Sequence, residues 1–155
     1  AGGFDISFFA HMEEIDLCWR FHSLGYKLMV CPQSVVYHVG GGTLSKANPR
    51  KTYLNFRNNQ YLLYKNLPFK YRMCILPLRF VLDMLAAFVF LLKGARKDAI
   101  AVVKAHLHFW KAIPGLRKNK NPFPLQGRSY IGKKSLIWNY YVLGKKTYKA
   151  LHGID

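Results

Sequence analysis

Met12-Glu13-Glu14-Ile15-Asp16-Leu17-Cys18-Trp19-Arg20-Phe21-His22-Ser23-Leu24-Gly25-Tyr26-Lys27-Leu28-Met29-Val30-Cys31 changes its periodicity at Gly25, and that change sets the expected fold. Leu17, Phe21 and Leu24 recur at i, i+4 and i+7, with Ile15 and Cys18 nearby, which predicts a helix over 12–24. Gly25 stands where a helix ends most easily, because glycine accepts positive φ. Residues 26–31 then read as a strand stopped by Pro32. Residues 34–39 read as a second short strand, broken by Gly40-Gly41-Gly42. Residues 43–50 read as a polar loop and 51–66 as a helix ending before Pro68. A helix among short strands predicts an α/β fold for residues 1–67.

The second half, 68–155, has a different character. Of 155 residues, 24 are Lys or Arg and 7 are Asp or Glu, for a net charge of +17. Residues 1–49 carry a net −1 and residues 50–155 a net +18. The apolar content is 51%, enough for a core, which excludes a disordered polycation. The basic part calls for a polyanionic neighbour, either an anionic membrane surface or nucleic acid. Residues 73–92 are apolar except for Arg79 and Asp83, which stand at i, i+4 and can pair. That stretch is long enough to span a bilayer, but only nine residues after Asp83 are uninterrupted and apolar, which favours a helix lying in the interface. Residues 96–113 read as an amphipathic helix, with Ile100, Val103, Leu107 and Trp110 on one side and Lys97, Lys104, His108 and Lys111 on the other, a pattern suited to a membrane surface. Packing of the same helix on its own domain is the other reading of those residues. Residues 114–128 read as a loop, and 130–150 as a last helix.

Three scattered cysteines, Cys18, Cys31 and Cys74, exclude a disulfide scaffold and a four-cysteine zinc site and fit a reducing compartment. No secretory leader is visible, and an opening of Ala1-Gly2-Gly3-Phe4-Asp5 reads as a piece of a longer chain.

The chemistry-bearing residues cluster around the first helix. Gly2-Gly3-Phe4-Asp5 and Phe8-Phe9 lead into Glu13, Glu14 and Asp16, so carboxylates stand in a first helical turn just after a loop. There a carboxylate can take a proton from a substrate hydroxyl. It can equally well complement the helix dipole, and Asp16 with Arg20 can form an ordinary i, i+4 pair. His38 closes the second expected strand, where it is either structural or a metal ligand.

The ordered set Gly2-Gly3-Phe4-Asp5, Phe8-Phe9, Glu13-Glu14-Ile15-Asp16-Leu17-Cys18-Trp19-Arg20, Gly25-Tyr26, Pro32, Val36-Tyr37-His38, Arg57-Asn58 and Lys65-Asn66 resembles the C-terminal part of the catalytic domain of family 2 glycosyltransferases, most of all the bacterial rhamnosyltransferase-type enzymes. The resemblance is close over 1–67 and loose over 68–155. It implies a GT-A type α/β fold on the acceptor side, followed by basic, apolar helices that attach to the cytoplasmic face of the bacterial inner membrane. It implies inverting transfer from a nucleotide-sugar donor to a hydroxyl of a polysaccharide or lipid-linked glycan. Glu14 occupies the position of the catalytic base, where the family usually has Asp, and Glu13 precedes it. His38 matches a metal-ligating histidine, implying Mn²⁺ or Mg²⁺ shared with an N-terminal half. Asp16, Arg57 and Phe9 fall at substrate-side positions.

The family's Asp-x-Asp metal motif is not found in these residues, so the resemblance implies a piece inactive by itself. Two other classes compete with it. One is a non-catalytic membrane-surface protein that uses the basic helices. The other, a nucleic-acid-binding module, is disfavoured because the apolar residues form long helical faces such as 84–92.

Overall fold

The computed structural model describes residues 1–37, 48–121, 138–147 and 150. Its elements are α1 (Glu13–Ser23), α2 (Pro49–Asn66), α3 (Phe69–Leu92), α4 (Arg96–Lys118) and a single π-helical turn at Trp138–Val142.

The described residues contain helices and no strand, which corrects the expected α/β, GT-A type class. Tyr26–Cys31 is irregular and exposed along its length. The expected strand 34–39 is described only to residue 37, and there too it is irregular and exposed. Met29, Val30, Val36 and Tyr37 are all more than four-fifths exposed. Their β-prone composition signals a propensity. A strand is stable only when its backbone is paired and one face is covered, and these residues have neither among the described ones. His38 and residues 43–47 lie outside the described residues, as do 122–130.

The helix boundaries follow local chemistry. α1 ends as expected at Gly25, whose φ is +87° and whose N–H reaches the His22 carbonyl at 3.0 Å. α2 starts on Asn48, whose side-chain oxygen accepts from the Arg50 N–H at 2.9 Å, with Pro49 at the first helical position. α4 runs past the expected end at residue 113 to Lys118, with Pro114 inside it. Leu116, buried near Tyr64 and Phe109, holds that last turn in the core, which offsets the hydrogen bond the proline removes. Of the expected helix over 130–150, the described residues show the π-helical turn and a helical Ala150.

α2 is the central element. Phe8, Tyr61, Leu62, Tyr64, Phe109 and Leu116 form the main core, and Ala87, Ala99 and Val102 a smaller one. α3 and α4 are joined by Lys93–Ala95 and run antiparallel, since Asp83 meets His106 while Leu76 and Ile113 border the same core.

α3 is built inside out. Its buried residues are Arg72, Asp83 and Ala87, whereas Leu78, Phe80, Val81, Leu82, Leu85, Phe88, Val89, Leu91 and Leu92 are exposed. With 24 residues it is long and apolar enough to cross a membrane. The expected Arg79–Asp83 pair forms at 2.8 Å. Asp83 also accepts from Gln60 at 3.0 Å and lies 2.9 Å from His106 Nε2, so one buried carboxylate joins α2, α3 and α4.

Candidate functional site

The site is the loop 7–12 together with the first turn of α1. Phe9, His11 and Met12 have φ values of 66°, 69° and 73°. Non-glycine residues in that region cost of order 1–3 kcal/mol each, so something must hold them there. Asn58 does so. Its side-chain nitrogen lies 2.8, 2.7 and 2.8 Å from the carbonyl oxygens of Phe8, Ala10 and His11. Arg57 donates to the Ser7 and Phe8 carbonyls at 3.1 and 3.0 Å and to the Asn58 side-chain oxygen at 2.9 Å. Phe8 at the loop's centre is fully buried and meets Tyr61 edge-on.

A second clamp lies behind the first. Lys65 forms an ion pair with Asp5 and stands over the Phe8 ring at 5.3 Å. Burial pushes its ammonium down to about 8. The Asp5 carboxylate also accepts from the Ser7 N–H at 2.8 Å, which starts the turn.

Asp16 is completely buried. One oxygen accepts from Arg20 Nε at 2.8 Å and the other from Asn66 Nδ2 at 2.7 Å. Arg20 in turn donates to the carbonyls of Ala1 and Gly3. Asn121 donates to Asn66 at 3.1 Å, tying the end of α4 into the same network.

The residues singled out in the sequence therefore separate. Glu14 is exposed at the start of α1, and Glu13 beside it is partly buried. Phe9 is 63% exposed on the loop, with the Arg50 guanidinium 5.0 Å from its ring centre. Arg57 spends its donors on backbone carbonyls. Asp16 supports α1 from below and presents no free oxygen to a ligand. His38 lies outside the described residues. Four buried polar atoms in this region, Ser7 Oγ, His11 Nε2, Glu13 Oε2 and Trp19 Nε1, have no hydrogen-bond partner among the described residues.

The described residues do not by themselves make a divalent-metal shell. No three His, Cys, Asp or Glu side chains converge among them, and Asp16 is already bound on both oxygens.

Two grooves flank this region. One, of about 500 Å³ and mostly apolar, runs from Ile15 and Trp19 on α1 past Leu63 to Ile75 on α3. The other, of about 350 Å³, is basic and lies between the start of α2 and α4.

Sequence reasoning missed the role of Asn58, which it saw only as part of an Arg-Asn pair, and the network around Asp83. The available signal was polar residues at positions that helical spacing places on buried faces. Comparison with family models, curated proteins and solved structures finds no match to this chain.

Proposed function

We propose that this chain is the acceptor-side and membrane-side segment of an inverting glycosyltransferase, with Glu14 as the base. The observation that carries this reading is the strained loop 7–12, held by five contacts from Arg57 and Asn58 and ending at the exposed Glu14 carboxylate. Strain of this kind, kept in place by surrounding structure, marks functional segments. In the proposed reaction the Glu14 carboxylate takes the proton of an acceptor hydroxyl. The freed oxygen attacks the anomeric carbon, the bond to the nucleotide diphosphate breaks, and the configuration inverts. Glu13, the residue before Glu14, would position the start of α1, and one of its oxygens is buried without a partner among the described residues. The donor and the divalent ion that the sequence resemblance implies would be held by residues beyond those described. Of the two acceptor classes, the apolar groove beginning at Ile15, next to Glu14, favours the lipid-linked glycan.

The proposal places the segment on an anionic membrane, at the cytoplasmic face of a bacterial inner membrane. What supports membrane contact is the apolar, exposed side of α3. What supports a helix lying in the interface is α4, which follows α3 along most of its length and carries Lys104 and Lys111 beside the middle of it. A spanning α3 would take those lysines into hydrocarbon, at about 3 kcal/mol each near the centre.

The test is Glu14→Gln in the full enzyme. Transfer to membrane acceptors should fall at least about a hundredfold, with nucleotide-sugar binding retained. Retained turnover would remove Glu14 as the base. Membrane binding that persists with no transfer by the unaltered protein would favour the non-catalytic membrane-surface reading instead.

A further inference from the structure

The exposed face of α4 is graded from apolar to basic. At about 100° per residue, Trp110 and Val103 lie nearest α3, Leu107 and Ile100 come next, and Lys111, Lys104 and Lys97 follow on the side nearest α2. This corrects the opposed faces expected from the sequence, since the lysines sit beside the apolar stripe. The buried face is a third one, made of Ala99, Val102, Ala105, His106 and Phe109. Ile100, Val103, Leu107 and Trp110 are 45–64% exposed, so the stripe is largely open.

The basic groove lies at the far edge of that gradient. Arg50 and Tyr53 from α2 face Lys97, Ile100, Lys104 and His108 from α4. Its volume of about 350 Å³ is within the range of small-ligand sites, about 300–1,000 Å³. Tyr53 Oη and His108 Nδ1 are 2.7 Å apart, which fixes both rings in its wall. Arg50, Lys97 and Lys104 have no carboxylate partner among the described residues. The one acid of α4, Asp98, accepts from Thr52 at 2.6 Å and does not line the groove. Three cations without a carboxylate around one concavity, Arg50 among them with its guanidinium also over the Phe9 ring, bordered by an exposed Ile, match an anionic group attached to an apolar chain.

We infer that the groove between the start of α2 and α4 binds the phosphate of an anionic phospholipid headgroup, through Arg50, Lys97 and Lys104, while Ile100 and Leu107 meet the acyl region. This assignment rests on the membrane reading above and adds a discrete site to it. α3 supplies apolar contact, and the groove sets the depth and rotation at which the segment sits, so that α1 is presented at a constant height.

The experiment titrates the protein with monomeric dihexanoyl phosphatidylglycerol, dihexanoyl phosphatidylcholine, inorganic phosphate and a short isoprenyl phosphate, reading the His108 imidazole signals by NMR. Flotation with phosphatidylglycerol-containing vesicles is run alongside. Saturable shifts with phosphatidylglycerol and none with phosphatidylcholine are expected. Lys97→Gln with Lys104→Gln should raise the dissociation constant at least about tenfold, and Arg117→Gln with Lys118→Gln, an equal charge loss outside the groove, should leave it near the original. Equal effects of the two double variants, or equal shifts with both lipids, would overturn the groove as a site; continued flotation would then leave the membrane reading standing. Inorganic or isoprenyl phosphate binding as tightly as phosphatidylglycerol would overturn the phospholipid as occupant. Absence of both shifts and flotation would overturn the site and the membrane reading together.

Discussion

Asn66 at the end of α2 donates a hydrogen bond of 2.7 Å to Asp16 on α1, fifty residues earlier, and both side chains are buried. The bond fixes the direction of α1, and hence the position of Glu14 two residues before Asp16. A buried carboxylate needs its partners. Removing Asn66 leaves the charge paired with Arg20 but takes the donor from its other oxygen, at about 1.5–3 kcal/mol.

Asn66→Ala should therefore destabilise the protein by about 2 kcal/mol, read by denaturant unfolding of the detergent-solubilised chain. Asp16→Asn keeps the shape but sets amide against amide and should cost about as much. A loss below about 1 kcal/mol in both would show that the pair holds little.

Asn58→Ala removes the three contacts that keep Phe8, Ala10 and His11 in place. The loop then relaxes from positive φ, recovering part of its strain, so the stability loss should be modest, about 1–3 kcal/mol. Sugar transfer should suffer more than stability does, falling to a level near that of Glu14→Gln. A variant that unfolds at the same denaturant midpoint and transfers normally would make the clamp dispensable.

Lys65 supplies a pH dependence with a defined sign. Burial lowers its folded pKa to about 8 from an unfolded value of 10.5, so between those values the unfolded chain binds the extra proton. Stability contributed by Lys65 therefore rises with pH from about 8 to 10.5 and is lowest below 8. The measurement is the difference in thermal midpoint between the original protein and Lys65→Met across that window. The difference should shift in favour of the original as pH rises, and a flat difference would mean that the Asp5 carboxylate cancels the effect of burial.

Much of the helical content was legible because it depends on local pattern. The period over 12–24, Gly25 at the end, the Asn66–Pro68 stop and the Arg79–Asp83 spacing are all short-range features, and each has its counterpart in the structure. The expected strands do not occur among the described residues, and local pattern could not have said so. Tyr26–Cys31 has strand-like composition, but pairing is a long-range property and no local residue reports it. The clamp around loop 7–12 was partly legible, since Arg57-Asn58 and Lys65-Asn66 could be seen as polar pairs on a helix. That they reach back about fifty residues to hold carbonyls and carboxylates could not. α4 was legible on one side only: the stripe of Ile100, Val103, Leu107 and Trp110, read as facing a membrane surface, is exposed, whereas the face that packs, made of Ala, Val, His, Phe and Leu, has no such large-residue pattern and was not read.

The buried network around Asp83 makes its own prediction. Asp83→Leu leaves Gln60 and His106 without their shared acceptor and Arg79 without its ion-pair partner, and should cost about 3–5 kcal/mol. Joint replacement of Gln60, Asp83 and His106 by Leu, Leu and Phe should recover most of that loss, because apolar groups of similar volume take the buried places and the Arg79 side chain, 36% exposed, can turn to water. Non-recovery by the triple variant would mean that the network does more than satisfy itself.

The disposition of α3 can be decided from its own surface. Cys74, Val81 and Phe88 repeat at seven residues, so they share one exposed face and extend over about 21 Å of helix axis. With Cys18 and Cys31 replaced by Ser, a bimane label at Cys74, or at Val81→Cys or Phe88→Cys in a Cys74→Ser background, reports depth through quenching by spin-labelled lipids. A helix lying in the interface places all three labels at one depth. A spanning helix places them at clearly different depths, with the middle one deepest. Equal depths are expected, because α4 lies antiparallel on the other side of α3 and its Lys104 stands two residues from the His106 that meets Asp83. If α3 spanned, Lys104 would sit near the bilayer centre without an acid to pair with, and relief would require α4 to separate from α3. That separation would in turn strip Asp83 of His106 and break up the cluster of Ala87, Ala99 and Val102. A depth gradient across the three labels would therefore contradict the packing of α3 on α4 as well as the interfacial placement.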